Sequence, residues 1–162
     1  MQLNFRKMAN NYHKIESISK IHEAYGLAKP KNPLISIVDM KDYVVKEAWV
    51  GLKFINGLYT ISLKDGSCGL EYGRNTYDFE DGVMSFMAPN QVFTVTQIPD
   101  KPIEGFMIYI HLNLIRHTSL GQQIEQYNFF TYEVHEALHL SDQEQNAIKN
   151  CVQIIDDEIN KR

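Results

Sequence analysis

The tract His135-Glu136-Ala137-Leu138-His139 matches H-E-x-x-H. On a helix that pattern puts two imidazoles on one face to bind Zn²⁺, with the glutamate as general base of a zinc hydrolase. Its surroundings argue against that chemistry. Ser141-Asp142-Gln143-Glu144 reads as a capping box that opens a new helix two residues after His139, so little helix remains to hold the pair. Glu158, the downstream residue that could serve as a third ligand, sits beside Asp156 and Asp157 on an acidic amphipathic helix where a glutamate is expected anyway. The simpler reading is a connecting segment with Ala137, Leu138 and Leu140 packed inward.

Other reactive arrangements fare no better. A metal-dependent barrel enzyme needs two or three histidines and a carboxylate converging from facing strands. The span from Leu58 to Gln97 contains no histidine, and Glu71, Asp78 and Glu80 stand beside turns, where carboxylates are solvated. His111 ends a strand without a histidine partner nearby. Ser62, Ser67 and Ser85 lie in or beside strands without the strand-to-helix G-x-S-x-G elbow. Cys68 has no local histidine to activate it and reads as a small strand hydrophobe. No catalytic residue, metal or cofactor is assigned, and the chain is expected not to be an enzyme.

The elements that would hold a site are short strands. Between Leu58 and Pro89, runs rich in Tyr, Ile, Val, Phe and Thr alternate with the turn signals Lys64-Asp65-Gly66, Tyr72-Gly73-Arg74-Asn75 and Glu80-Asp81-Gly82. Even spacing of this kind predicts an antiparallel barrel or sandwich. Further strands are predicted for Leu34–Val38, around Trp49 within Tyr43–Ile55, for Val92–Gln97 and for Gly105–His111. Residues 12–25 carry Ile15, Ile18, Ile21, His22 and Tyr25 at helical spacing, with Gly26 as the stop. Short helical segments are expected from Asn113 to Tyr127, before the capped helix that starts near Ser141. The division is an N-terminal helical arm and linker (1–33), a β-barrel (34–111) and C-terminal helices (112–162).

The chain has 162 residues, 44% hydrophobic and 22% charged, the balance of one ordinary globular domain. Its net charge of −4 supplies no basic face for nucleic acid. The apolar runs are strand-sized, too short to span a bilayer. The N-terminus lacks the unbroken apolar core of a secretory signal, and the two cysteines, Cys68 and Cys151, form no CxxC pair. A cytoplasmic location with reduced thiols is expected.

Two sets of residues remain for binding. Trp49, Tyr59, Phe93, Met107 and Tyr109 fall on predicted strands whose alternate residues face inward, and they combine apolar bodies with a few polar handles suited to a small organic ligand. Ile148, Cys151, Val152, Ile155 and Ile159 follow three-four spacing on the last helix, as expected for packing on the barrel or against a second copy.

The order of parts resembles the N-terminal sensor domain of AraC-type transcription regulators. The residues that carry the likeness are Gly57–Ser67 and Tyr72–Pro89, with Asp81-Gly82 as the turn and Ala88-Pro89 closing the strand, followed by Ile108–Ile115. The resemblance implies a cupin-like β-barrel that binds a small effector, such as a sugar or metabolite, and helices after it that make a homodimer. It also implies that DNA is reached only through a C-terminal helix-turn-helix domain, which would follow Arg162. The metal-binding histidines of enzymatic cupins are missing, which fits a sensor; a small metal-dependent cupin enzyme is the alternative.

Overall fold

A computed structural model describes residues 12–65, 70–72, 75–76, 82–130 and 138–161. In chain order they form β1 (Tyr12–Ile15), α1 (Ile18–Tyr25), β2 (Ile35–Asp39), β3 (Lys53–Asn56), β4 (Tyr59–Asp65), β5 (Leu70–Tyr72) and β6 (Asn75–Thr76). Then follow β7 (Val83–Met87), β8 (Val92–Val95), β9 (Glu104–Ile110), α2 (Leu112–Ile115), α3 (Ser119–Gln123), β10 (Leu138–His139) and α4 (Asp142–Asn160). The strands make two five-stranded sheets, ordered β1-β3-β8-β5-β6 and β10-β7-β4-β9-β2. Among these pairings only β1 with β3 is parallel. This is the β-rich, cupin-like architecture with C-terminal helices that the short, evenly spaced strands predict.

The two sheets read differently in sequence because they are buried differently. In the first, Phe54, Asn56, Phe93 and Val95 point inward, while Lys53, Ile55, Val92 and Thr94 alternate with them. The second is covered on both faces. Thr60, Ser62, Met107, Tyr109 and Val38 face the first sheet, and Leu63, Met84, Phe106 and Ile108 form a separate core on the outside. A strand buried on both sides loses period-two alternation, which is why β7 (Val-Met-Ser-Phe-Met) and β9 are nearly continuous apolar runs.

Residues 12–25 are not one helix. Tyr12–Ile15 is extended and pairs in register with Lys53–Asn56, and the helix begins only after Ser17, whose hydroxyl accepts from the Lys20 amide at 3.3 Å. The helix ends as predicted at Gly26, in left-handed conformation at φ 72°, and the Leu27 amide donates to the His22 carbonyl at 2.8 Å. Ile18, Ile21 and Ala24 bury α1 in the main core with Phe54, Leu58 and Met107.

A second anchor holds α1 to β2. His22 Nδ1 lies 2.5 Å from the Ala28 carbonyl and Nε2 lies 2.7 Å from the Ser36 hydroxyl. A carbonyl only accepts, so Nδ1 carries the proton, and in the neutral ring the Ser36 hydroxyl donates to Nε2. Ser36 is buried, so removing the imidazole strands its hydroxyl. His22→Ala should lower unfolding stability by about 1–3 kcal/mol. A urea midpoint equal to the parent's would show that this anchor contributes nothing.

The outer face of the second sheet receives α4. Ser141 and Glu144 form the expected capping box: the Glu144 amide donates to the Ser141 hydroxyl and the Ser141 amide to the Glu144 carboxylate, at 3.4 and 2.9 Å. The Ser141 hydroxyl, which also donates to the Glu144 carboxylate at 2.6 Å, and then the Ser141 amide hold that carboxyl below the ordinary glutamate range. Ile148 and Val152 pack on the Leu63, Met84, Phe106 and Ile108 core, and Ile159 lies in a cleft beside β2. Leu140 joins that core, but Leu138, expected to pack inward, is 41% exposed. The β10 pairing that carries it is only two residues long and sits at the edge of its sheet.

Candidate functional site

The space between the sheets and α1 is the place where aromatic and polar side chains meet inside the barrel. Two adjoining voids lie there, each about 20 Å³. Trp49, Phe54, Tyr43, Tyr25 and Phe93 wall the first; Asn56, Thr60, Met107 and Tyr109 add a more polar wall to the second, with Tyr25, Tyr43 and Phe93 shared. One void of this size holds a water or two. A larger guest in either void has to displace side chains to enter.

The aromatic rings contact one another edge to face and face to face. Tyr25 meets Tyr43 edge-on with centroids 4.7 Å apart, Trp49 meets Phe54 at 6.3 Å, and Phe54 stacks on Phe93 at 5.3 Å. The Tyr25 ring lies 6.0 Å from that of Trp49. The Lys46 ammonium stands 5.0 Å from the centre of the Trp49 ring, a cation–π contact.

The polar groups inside are held by the fold itself. The Asn56 amide bends the β3–β4 connection: Nδ2 donates to the Leu58 carbonyl and to the Thr60 hydroxyl at 2.5 and 3.3 Å, and Oδ1 accepts from the Leu58 amide at 3.2 Å. The Tyr109 hydroxyl lies 3.2 Å from that of Tyr25 and donates to the Met107 sulfur at 3.3 Å. Deeper along the same face of β4, the Ser62 and Ser85 hydroxyls bond each other at 2.6 Å across the β4–β7 pair, and Lys64 is buried beyond them.

Four of the five aromatic and Met residues expected inside do line the voids: Trp49, Phe93, Met107 and Tyr109. Trp49 reaches the interior from a 3-10 turn (Glu47–Trp49), not from the predicted strand. Tyr59 is a correction. It pairs with Ile110 on the outer face of the second sheet and packs with Ile115, Ile124 and Phe130 under the α2–α3 segment. Burial there, with the Glu125 carboxylate, raises its phenol pKa. Strand parity gives the inward position to Thr60, one residue on.

Tyr25, Tyr43, Phe54, Asn56 and Thr60 were not anticipated as lining residues. For Phe54 a signal was present, because Lys53-Phe54-Ile55-Asn56 precedes a turn and alternates. Tyr25 and Tyr43 come from a helix and an irregular segment, which strand parity does not reach.

The stripe on α4 divides between two faces. Ile148, Val152 and Ile159 turn toward the chain's own sheet. Cys151 and Ile154 are exposed, Ile154 at 64%, while Ile155, on the same stripe as Ile148 and Val152 by helical spacing, keeps 36% of its surface exposed. Of the reactive groups weighed from sequence, Ser67, Cys68, Asp78, Glu80, His135, Glu136 and Ala137 lie outside the described residues, as do the side chain of Glu71 and the turn positions Gly66, Gly73, Arg74 and Asp81. His139 is exposed on β10, a strand, and not on a helix. His111 caps α2, its Nδ1 accepting from the Asn113 amide at 3.2 Å. Among the described residues no group of three or more His, Cys, Asp or Glu is placed to hold a metal ion, and no helix is long and apolar enough to cross a membrane.

A family model, the AraC-like ligand binding domain, matches residues 61–154. That span covers the second sheet's β4, β7 and β9, strand β8 of the first sheet, and most of α4. The chain belongs to the AraC-like ligand binding domain family. Neither a curated protein nor a solved structure gives a significant match to it. Membership makes this AraC-like domain a regulatory ligand-binding module in class, and its β-rich body with terminal helices is the architecture the resemblance in sequence implied.

Proposed function

We propose that the chain is the effector-sensing and dimerisation domain of an AraC-type transcription regulator. The observation that carries this reading is the AraC-like ligand binding domain match across residues 61–154. In this reading Trp49, Phe93, Met107 and Tyr109 contact a small-molecule effector between the sheets, with no catalytic step and no cofactor. The regulator works in the cytoplasm and reaches DNA through a helix-turn-helix domain outside these 162 residues. An effector changes the output only by binding one arrangement of the domain better than another. Because the two voids are water-sized, a guest in them shifts the side chains that wall them, Tyr25 of α1 included. Titration of the chain with a panel of sugars and metabolites by calorimetry tests the reading, and silence of the whole panel removes the sensing role.

Dimerisation is assigned to the outward face of α4. Of the residues proposed from sequence, Cys151 is exposed there and the partly exposed Ile155 borders it; Ile154 joins them, whereas Ile148, Val152 and Ile159 support it from beneath. Ile155→Asp and Ile154→Asp should each convert a dimer to a monomer in sedimentation velocity, while Ile148→Asp should lower the unfolding midpoint of the fold itself. A dimer unchanged by the two outward substitutions refutes the assignment.

A second reading is supported by the size of the voids. A barrel whose interior is filled by its own side chains is a dimerisation scaffold without an effector. It predicts no ligand response in the calorimetric panel and the same loss of dimer in Ile155→Asp.

A further inference from the structure

The linker that follows α1 and the last turn of α4 face each other across an open cleft of about 250 Å³. Leu27, Ala28 and Lys31 wall it on one side, and Asp156, Ile159 and Asn160 on the other. One polar bridge crosses it between residues 129 positions apart in the chain: the Lys31 ammonium donates to the Asn160 side-chain carbonyl at 2.8 Å. The Asn160 amide nitrogen donates in turn to the Asp156 carboxylate, one helical turn back, at 2.9 Å. An ammonium only donates and a carboxylate only accepts, so a single orientation of the Asn160 amide serves both partners. The bridge is specific to this pair of groups.

The other end of the linker is held by α1. His22 Nδ1 donates to the Ala28 carbonyl at 2.5 Å, and its Nε2 lies 2.7 Å from the Ser36 hydroxyl. Between Ala28 and Lys31 stands Pro30, whose ring fixes its own φ and keeps Lys29 out of the helical region. A linker this stiff passes a shift of the Ala28 carbonyl on to Lys31. Resting on the effector-sensing reading above, we propose that the His22–linker–Lys31–Asn160 chain is the joint that transmits a displacement of α1 to the end of α4. Tyr25, the last residue of α1, walls both voids, and the exposed Ile154 lies about two turns before Asn160 on α4. The joint therefore runs from the effector side of the domain to its dimerisation helix. His22 and Lys31 act in it as positioning residues, for neither walls a void. A second route exists through β2, which His22 grips at Ser36 and beside which Ile159 lies. Removing the Lys31 donor breaks the first route alone.

A double-mutant cycle read by native-state amide hydrogen exchange tests the joint in the 162-residue protein without any effector. Lys31→Met should speed exchange in the last turn of α4 about two- to fivefold, the range for an exposed charged pair, and leave α1 unchanged. Lys31→Arg, which keeps a donor, should exchange like the parent. His22→Ala should speed exchange both at the end of α1 and in the last turn of α4. On the Lys31→Met background, His22→Ala should still act on α1 and no longer on α4. Pro30→Gly, which loosens the linker and leaves the core residues in place, replaces His22→Ala if that variant does not unfold cooperatively. An unchanged last turn in Lys31→Met, or effects of the two substitutions on α4 that simply add, overturns the joint. Either result leaves the sensing reading standing, because that reading falls only to silence in the calorimetric panel.

Discussion

Gly105→Ala is expected to lower unfolding stability by about 3 kcal/mol or more, and Gly105→Val to abolish folding at ordinary temperature. Gly105 lies in β9 opposite Lys64 of β4, at φ 117°, a backbone conformation that side chains of L-residues rarely adopt. A β-carbon there would also run into the Leu63 carbonyl and the backbone of Lys64, atoms held by the β4–β9 pairing and unable to step aside. The two costs add because relief of one requires moving the strand that causes the other. The β4–β9 pair joins the two halves of the second sheet, so the loss is global and not a frayed edge. Urea unfolding checks it. A Gly105→Ala midpoint within experimental error of the parent would show that the strand absorbs the extra atom.

Ile18→Ala should cost about 2–5 kcal/mol. Ile18 has no exposed surface and packs in the main core beside Ile21, Phe54 and Leu58. Truncation removes three carbons and leaves a cavity that β1 and α1, anchored by pairing and by the His22–Ser36 bond, cannot fully collapse. The result bears on how the N-terminal region works. If residues 12–26 were an arm that leaves the barrel while the rest stays folded, Ile18→Ala would promote release of the arm and leave global unfolding almost unchanged. The packing predicts the opposite: one cooperative transition at a lower midpoint, with the exposed control Lys20→Ala within about 0.5 kcal/mol of the parent. Two separate transitions in Ile18→Ala would show instead that this region detaches from a folded barrel.

The N-terminal region shows where reading residues along the chain reaches its limit. The helix that ends at Tyr25 was legible from its apolar spacing and its Gly26 stop, which are local, although its start at the Ser17 cap was not read. Tyr12–Ile15 was not, because Ile15 falls on the helix's own spacing. What makes it a strand is Phe54 and Asn56, some forty residues away, offering a free edge. The same contrast holds at Ser141-Asp142-Gln143-Glu144, where a capping box is a contract between residues three apart and was read correctly to the residue.

At the site the dividing line is strand parity. Phe93, Met107 and Tyr109 face inward, as alternation predicts, because they sit on strands whose ends are marked by turns. Tyr59 was chosen as the aromatic and therefore the pocket residue, yet β4 is buried on both faces, so side-chain type says nothing about which face it serves. Trp49 reached the interior by another route, from a turn placed by its own hydrogen bonds, the Trp49 amide donating to the Lys46 carbonyl at 2.9 Å.

Residue order by itself determined the antiparallel β-rich class, the boundary and cap of the last helix, and the aromatic character of whatever the barrel encloses. These follow from interactions spanning a few residues: alternation, turn chemistry and capping. Only the tertiary structure decided that Thr60 and not Tyr59 faces inward, that Ile148 and Val152 belong to the chain's own core while Ile154 is exposed, and that the two voids beside Tyr25 and Tyr43 are water-sized. Each of those depends on which surface a residue meets after distant strands pair, and pairing across fifty residues leaves no mark on the local pattern.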